Sequence, residues 1–596
     1  MSDVYTAISF APVQGFIERS RKLRDLYGAS IILSYLSQKI VEEFHQDSKL
    51  KVISPGRTGL QEGMPNRILI RGLIDRDLVQ NALLKHWQAL LLVCREWVEK
   101  NVPAEYHWAQ KETQISYEKG EWERWGTHTW ELFWGRGDAP QSAMDDLETR
   151  KLKRDWIAIN WMGESSSLSG TDAIAWPQLG RQYKPGEYRP GQSLTRAEQD
   201  EQELFYRRLS WVLDDPKQRM GKPHLLLAEL RAYEKANVDS IGRYIAVNER
   251  LSIPELVKRL ITYDQIDADR SQETKLGIKK LREKPDDPEF KDIYRESGYW
   301  TGWFMGDGDE VGKKLKILAA RNPDNLEKCD RDITRFSELM RDWGKEFKDN
   351  KSLFPEGKGR VIYAGGDDFL GVLYSEEPLT KMEELKPVKP KPVKPIEAWD
   401  WLHGLPKHWK SLQENLKTEL DLECTYSLGF VWAGNRVPQR DILQHCREAE
   451  KRSKSLGRDR VTIRVVFNSG QFVQWTCPWD YLHVLQNYRD RDGNTWNDKY
   501  LNWTHIYNDW EHLKAHHAIP IKGKAENIDE HIALELFELY FGDRTPRTDT
   551  LRPVSRNYFS EGDNCKHITG KAYSATAIIE WIDGLVKIGW QLCSNS

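Results

Sequence analysis

Two short apolar runs, residues 361–363 and 369–373, flank Gly365, Gly366, Asp367 and Asp368. Runs this short, split by consecutive glycines, predict a β-hairpin with the acids at its tip. The glycines let the backbone turn tightly and approach a substrate. Sixty positions before Asp367, the segment WFMGDGDEVGKKL closes an apolar run on Asp307 and Asp309 and opens a helical pattern. On a strand, Asp307 and Asp309 share a face. Gly308 between them leaves room for its carbonyl to reach a metal. Clustered carboxylates repel unless a cation neutralises them, so Asp307, Asp367 and Asp368 form a candidate Mg²⁺ site. Each tetrapeptide alone is an ordinary turn. The signal lies in both standing at strand ends of one βααβ unit.

Such a site fits nucleotidyl transfer, which needs an activated hydroxyl and a pyrophosphate leaving group held in line. Two ions about 3.5–4 Å apart serve both needs. The helix expected from Glu310 offers free N–H groups to a triphosphate, with Lys313 and Lys314 nearby. Lys454 and Arg458, at the end of a later helix, are candidates for phosphate contacts. A helix C-terminus also attracts basic residues for dipole reasons alone.

At 596 residues the chain exceeds one core, and three or four domains are expected. With 39% hydrophobic and 30% charged residues, it has a globular composition and no apolar run long enough to span a bilayer. The first residues read as a strand entering a helix, not as a signal peptide. Seven cysteines are scattered with no CxxC pair, which argues against a zinc ribbon or disulfide framework and fits a reducing cytoplasm. A net charge of −3 leaves any RNA contact to local basic patches. Most of the 25 tryptophans are expected in cores or interfaces.

Along the chain, residues 4–10 read as a strand, followed by a helical pattern through Phe16, Leu23 and Leu26. A second helix is expected after Gly28, a strand over 66–71 and a helix over 77–99. Residues 178–202 read as a loop, 224–262 as helical and 266–296 as a charged, exposed insertion. Strands are expected from Tyr299 to Met305, over 425–432 and over 461–467. Helices are expected over 310–320, 328–348 and 440–455. The Lys-Pro alternation at 386–395 reads as a solvated, polyproline-like excursion. The basic stretch ERSRKLRD (Arg19, Arg21, Lys22, Arg24) reads as a solvated helix face, with RNA or a partner subunit as the other possibility. The remainder, 471–596, is expected to be mostly helical.

At these motifs the chain resembles the large palm-domain subunit of type III CRISPR effector complexes, nearest the Cmr subtype. The similar segments are SFAPVQGFIERSRKLRDLYGASIILSYLS, MPNRILIRG, ERLSIPELVKRL, GDGDEVGKKL, AGGDDFLGVL and SLGFVWAGNRVPQRDILQHCREAEKRSKSLGRDRV, spread over residues 9–461. The resemblance implies an α+β fold with two ferredoxin-like palm domains plus helical domains. The expected division is a first palm with insertions at 1–222, a helical middle domain at 223–296, a second palm at 297–470 and a helical domain at 471–596. It further implies ATP as substrate, two Mg²⁺ or Mn²⁺ ions, and conversion to cyclic oligoadenylates on target RNA binding. Asp307, Asp367 and Asp368 would bind metal and act in catalysis. Gly308, Asp309, Gly365, Gly366, Lys454 and Arg458 would line the nucleotide, Lys454 by a phosphate contact. Partners would be other CRISPR effector subunits, crRNA and target RNA, in the cytoplasm and without a membrane.

Two departures from the family stand out. Many members begin with an HD nuclease domain, whereas this chain opens at the first palm and contains no adjacent His-Asp pair, so no HD-type cleavage is expected. The family's middle domain often holds zinc through cysteines, and residues 220–250 contain none. Two other readings stay open. One is a catalytically silent scaffold anchoring crRNA and neighbouring subunits. The other is a free-standing cyclic-dinucleotide synthase of the GGDEF type, against which the second palm-like region and the long helical tail both weigh.

Overall fold

In the computed structural model of the chain, the strand expected at residues 4–10 forms as β1 (Tyr5–Ala11), six of whose seven residues are buried. The structure describes residues 4–56, 65–108, 120–153, 164–179, 194–214, 227–236, 242, 244–263, 266–267, 270–271, 275–276, 292–322, 324–350, 352–355, 358–376, 389–519, 529–543 and 552–593. Two compact units emerge. One comprises Met1–Asp292, Leu318–Glu338 and Leu379–Val388, the other Ile293–Ile317, Leu339–Pro378 and Lys389–Ser596.

In the first unit β1 is followed by α1 (Val13–Glu18), α2 (Leu23–His45), β2 (Lys51–Ser54), β3 (Arg67–Arg71), α3 (Arg76–Asn101), α4 (Glu121–His128), β4 (Glu131–Gly137) and α5 (Pro140–Lys151). Helices α6 (Arg196–Asp214), α7 (Leu227–Ala236) and α8 (Ile253–Leu260) come after them. The strands pair antiparallel in the order β2-β3-β1-β4, the ferredoxin-like arrangement.

Five expectations change here. Helix α2 starts at Leu23 and passes through Gly28, not after it. The glycine is a packing residue: a Cβ there would meet the Lys258 carbonyl oxygen of α8 at 2.0 Å. The stretch ERSRKLRD is not a solvated helix face. Asp25 is 1% and Arg24 5% exposed, and Asp25 takes both Arg259 Nε (2.6 Å) and Nη2 (3.0 Å). The last residues of the expected loop at 178–202 belong to α6, and residues 180–193 lie outside the described residues. The helical pattern over 224–262 resolves into α7 and α8, with described residues 244–252 non-helical between them. Of the expected insertion at 266–296, residues 277–291 lie outside the described residues, while Ile266 and Asp267 are buried.

The second unit contains β5 (Thr301–Gly308), α9 (Val311–Ala320, which runs into the first unit at Leu318), α10 (Leu326–Asp349, whose second half belongs here), β6 (Arg360–Gly365), β7 (Asp368–Leu373), α11 (Pro395–Leu420), β8 (Tyr426–Ala433), α12 (Gln439–Ser455), β9 (Arg460–Val466) and β10 (Phe472–Pro478). Its sheet runs β10-β9-β8-β5-β7-β6. The order β6-β7-β5-β8 repeats β2-β3-β1-β4 of the first unit, and α12 joins the parallel pair β8 and β9. The reading of 471–596 as mostly helical did not include β10, which pairs antiparallel with β9. A 3₁₀ helix (Trp479–Asn487), α13 (Thr504–Ala515), α14 (His531–Phe541), α15 (Arg556–Ser560), α16 (Gly562–Thr569) and α17 (Ala575–Leu592) follow. Trp581 of α17 donates its indole N–H to the Thr476 carbonyl of β10 at 2.9 Å.

Residues 386–388 of the Lys-Pro stretch lie outside the described residues; the rest is more packed than a free excursion. Val393 is 3% exposed, and the Pro390 and Lys391 carbonyls accept from Tyr299 and Ser375 at 2.8 Å each. Among the described residues, no helix is long and apolar enough to cross a membrane. The chain is an α+β protein with two ferredoxin-like palm sheets and added helices.

Candidate metal and nucleotide site

Strand parity decides which face of the second sheet carries the acids. Phe304 of β5 packs 4.3 Å from Trp401 of α11, and Phe430 of β8 packs on the same ring. The neighbouring Gly429 faces α12 instead: a Cβ there would meet the Cys446 carbonyl at 2.3 Å. Asp307, odd-numbered on β5, therefore lies on the α12 face. It pairs in register with Asp368 on one side and Ser427 on the other. The aromatic group under the other face, Phe304, Phe369, Trp343 and Trp409, packed in tilted and edge-to-face contacts, supports these strand ends.

The expected hairpin forms from β6 and β7. Gly365 pairs with Asp368, leaving Gly366 and Asp367 as the two turn residues. Gly366 has φ +86°, the left-handed conformation that the first position of such a turn requires. The turn brings Asp367 to the end of β5, where its carbonyl accepts the Gly308 N–H at 3.0 Å. A Cβ on Gly308 would lie 2.9 Å from Val311 Cγ2 and 3.0 Å from the Asp367 Cβ, so any other residue would push these neighbours aside. One carboxylate oxygen from each of Asp307, Asp367 and Asp368 lies within 4.8 Å of the others; Asp368 is exposed and the other two are half-buried.

Lys454, in the last turn of α12, reaches across the sheet and makes an ion pair with Asp307 Oδ2. Its ammonium also lies 2.7 Å from Glu450 Oε1, one helical turn earlier. Arg458 stands further out, with Nη2 3.8 Å from Glu310 Oε1. Lys313 pairs with the same Glu310 oxygen at 2.5 Å. Asp309 behaves differently from its neighbour at 307. The strand ends at Gly308, and Glu310 turns left-handed with φ +58°. Asp309 is 4% exposed. Its Oδ1 accepts from Ser427 Oγ (2.7 Å), and its Oδ2 from Thr425 Oγ1 (2.8 Å) and the Asp459 N–H (2.9 Å).

The α12–β9 turn is strained. Gly457, Arg458 and Asp459 take φ +124°, +63° and +50° in succession. A left-handed conformation costs a non-glycine residue roughly 1–2 kcal/mol, so two in a row must be held by their surroundings.

Negative charge is in excess around the cluster. Burial, reinforced by Asp368 and Asp309, pushes the Glu450 carboxyl up to about 7. Desolvation and the Asp309 and Asp480 charges raise Asp459, exposed as a whole residue, to about 6. Burial and Arg458 push the Lys454 ammonium down to about 8. The Tyr363 hydroxyl is raised well above its usual value by burial, Asp368 and Asp367. Three carboxylates competing for one lysine is a donor set suited to a hard divalent cation. A second group among the described residues, Asp490, Asp492 and His505, also brings ligand atoms within 4.8 Å. There Asp490 already accepts from the Asn494 N–H (2.8 Å), Asn494 Nδ2 (3.0 Å) and the Asn502 N–H (2.9 Å).

The sequence did not point to Glu450, Thr425, Ser427 or Asp459. Glu450 was accessible in principle, since it precedes Lys454 by four residues on a helix. Thr425 and Ser427 act through strand register, which leaves no local pattern.

Residues 300–462 match the family model described as Cas10/Cmr2, second palm domain, and residues 5–62 match CRISPR-associated protein Cmr2, N-terminal. No curated protein matches the chain. Among solved structures, a Csm1–Csm4 cassette in complex with one ATP is similar at 14% identity and TM-score 0.41, over 100% of this chain and 70% of that one. A Csm1–Csm4 cassette in complex with cA4 is similar at 14% identity and TM-score 0.40, with the same coverage. Csm1 in T. onnurineus is similar at 13% identity and TM-score 0.40, over 99% of this chain and 70% of its own. The two family matches begin on the central strand of each palm sheet, β1 and β5, and the second includes all three clustered acids and Lys454, so the chain carries a second palm domain of the Cas10/Cmr2 family and an N-terminal segment of the Cmr2 kind.

Proposed function

We propose that the chain converts ATP to cyclic oligoadenylate at its second palm, inside a complex with other CRISPR effector subunits, crRNA and target RNA. The observation that carries this reading is the convergence of Asp307, Asp367 and Asp368 within 4.8 Å at the ends of adjacent strands. These three would hold two Mg²⁺ or Mn²⁺ ions, which when bound supply the Lewis acidity that activates the attacking hydroxyl and steadies the leaving pyrophosphate. Gly308, Gly365 and Gly366 keep the β5 end and the hairpin tip free of side chains, so a nucleotide can approach the backbone. Lys454 and Arg458 place positive charge where phosphates would lie, beside the N-terminus of α9. Asp309, with its carboxylate turned into the protein, serves the nucleotide side of the site through the segments it holds. The reading keeps the four-part division at 222/223, 296/297 and 470/471 and a cytoplasmic setting.

The test is ATP turnover with Mg²⁺ by the purified complex, with and without a target RNA matching its guide, products being separated by mass. RNA-dependent cyclic oligoadenylates are expected from the parent and should be lost in an Asp367→Ala/Asp368→Ala variant. No product from a complex that still binds target RNA would instead favour a scaffold role.

A further inference from the structure

Asp309 lies two residues from Asp307, yet its carboxylate points into protein. Both oxygens are used, by donors from two separate segments: Thr425 and Ser427 at the start of β8, and the Asp459 N–H in the α12–β9 turn. Its own N–H donates to the Thr425 carbonyl at 2.8 Å. The turn it grips is the left-handed run at residues 457–459, which leads directly from the end of α12 that carries Lys454. Other bonds to this turn come from the Ser453 carbonyl, which accepts the Arg458 N–H at 3.1 Å, from Trp479, whose N–H donates to the Asp459 carbonyl at 3.3 Å, and from Arg460 Nε, which donates to the Arg458 carbonyl at 2.9 Å. None of these ties the turn to the end of β5, where the other link is the longer Arg458–Glu310 ion pair at 3.8 Å between two partly exposed side chains.

We infer that Asp309 is a positioning residue: it fastens the turn at 457–459 to the end of β5 and so fixes Arg458 and Lys454 against the Asp307, Asp367 and Asp368 carboxylates. The inference rests on the nucleotide site proposed above and assigns Asp309 a role through hydrogen bonds, not through its charge. A side-chain amide in its place can keep its oxygen toward the Asp459 N–H and Thr425 while donating to the Ser427 hydroxyl, which can accept. A methyl group can do neither.

Three measurements on the full chain test this. Mn²⁺ alone probes the acidic cluster, a non-hydrolysable ATP analogue with Mn²⁺ probes the nucleotide, and hydrogen exchange of the segment 456–460 probes the turn. In Asp309→Ala, exchange should quicken and analogue affinity should fall by about tenfold, the worth of one ordinary hydrogen bond, with Mn²⁺ affinity within about twofold. Asp309→Asn should stay within about threefold of the parent in both affinities. Adding Asp459→Gly to Asp309→Ala should recover analogue affinity, because glycine accepts the left-handed backbone without the tether.

A tenfold loss of Mn²⁺ or analogue affinity in Asp309→Asn would overturn the inference, since that outcome marks a ligand. This arm decides the matter even if Asp309→Ala does not fold. Unchanged exchange at 456–460 in a folded Asp309→Ala would also overturn it, as would failure of glycine to recover affinity. A parent chain that binds no analogue would instead overturn the nucleotide site itself, and the exchange arm would still read the tether.

Discussion

Glu450 and Lys454, one turn apart on α12, are each buried against their charged form, and the direction of the effect is testable. Glu450 is held at about 7 against a usual 4.5. Between those values the folded chain binds the proton more tightly than the unfolded chain does. Stability therefore falls as pH rises through that window, and the loss is complete above about 7. Glutamine at this position removes the loss. In the presence of a chelator, Glu450→Gln should melt higher than the parent at pH 8, by roughly 1–3 kcal/mol of stability, and nearly level with it at pH 5. Lower stability of the variant at pH 8 would show that the 2.7 Å contact with Lys454 outweighs the burial of charge. Lys454 has the opposite sign: its ammonium, lowered to about 8 from 10.5, costs stability below that value and recovers it as pH rises further.

At the scale of elements, the β6–β7 hairpin shows what local sequence can and cannot specify. Its two apolar runs and paired glycines made it legible, because turn chemistry is written in adjacent residues. Gly366 faces open space, so a substitution there tests backbone conformation alone. Gly366→Ala should cost about 1–2 kcal/mol and weaken Mn²⁺ binding, since Asp367 and Asp368 follow directly. Gly366→Asn should cost less, because asparagine tolerates the left-handed region. Equal stability of all three in thermal melts would refute this account of the turn. The α2 boundary was misread for the converse reason. Gly28 looked like a helix breaker, but it is in mid-helix to admit the Lys258 carbonyl of α8, some 230 residues away in the chain. The basic stretch beside it misled in the same way: its arginines and Asp25 meet partners, Asp172, Tyr244 and Arg259, that no window around residue 20 contains. Asp309 belongs with these. Spacing put it on one strand face with Asp307, but the strand ends at Gly308 and its partners depend on where β8 and the 457–459 turn arrive.

For the whole molecule, the repeat of one strand order in both units was within reach of the sequence, since each palm is a local βαββαβ run. The discontinuity of the first unit was not, because the segment Leu318–Glu338 lies inside the stretch that reads as the second palm. Asp330 explains why this segment belongs with the first sheet. Fully buried, it accepts from Tyr5 Oη of β1 and Arg71 Nη1 of β3, each at 3.0 Å. Four residues on, Thr334 donates to the Ile53 carbonyl of β2 at 2.9 Å, so α10 binds three of the four strands. A fragment ending at Asp292 would contain every strand of the first palm and lack this helix. It should therefore show faster hydrogen exchange in β1 and β3 than the same peptides in the full chain. In the intact chain, Asp330→Ala should reproduce that loss of protection. It should cost roughly 2–3 kcal/mol, less than a fully enclosed ion pair because Arg71 keeps some contact with water. Asp330→Asn keeps an acceptor for one of the two donors and should fall between. Parent-like protection of β1 and β3 in Asp330→Ala would mean that the sheet holds itself and that the inserted helix merely rests on it.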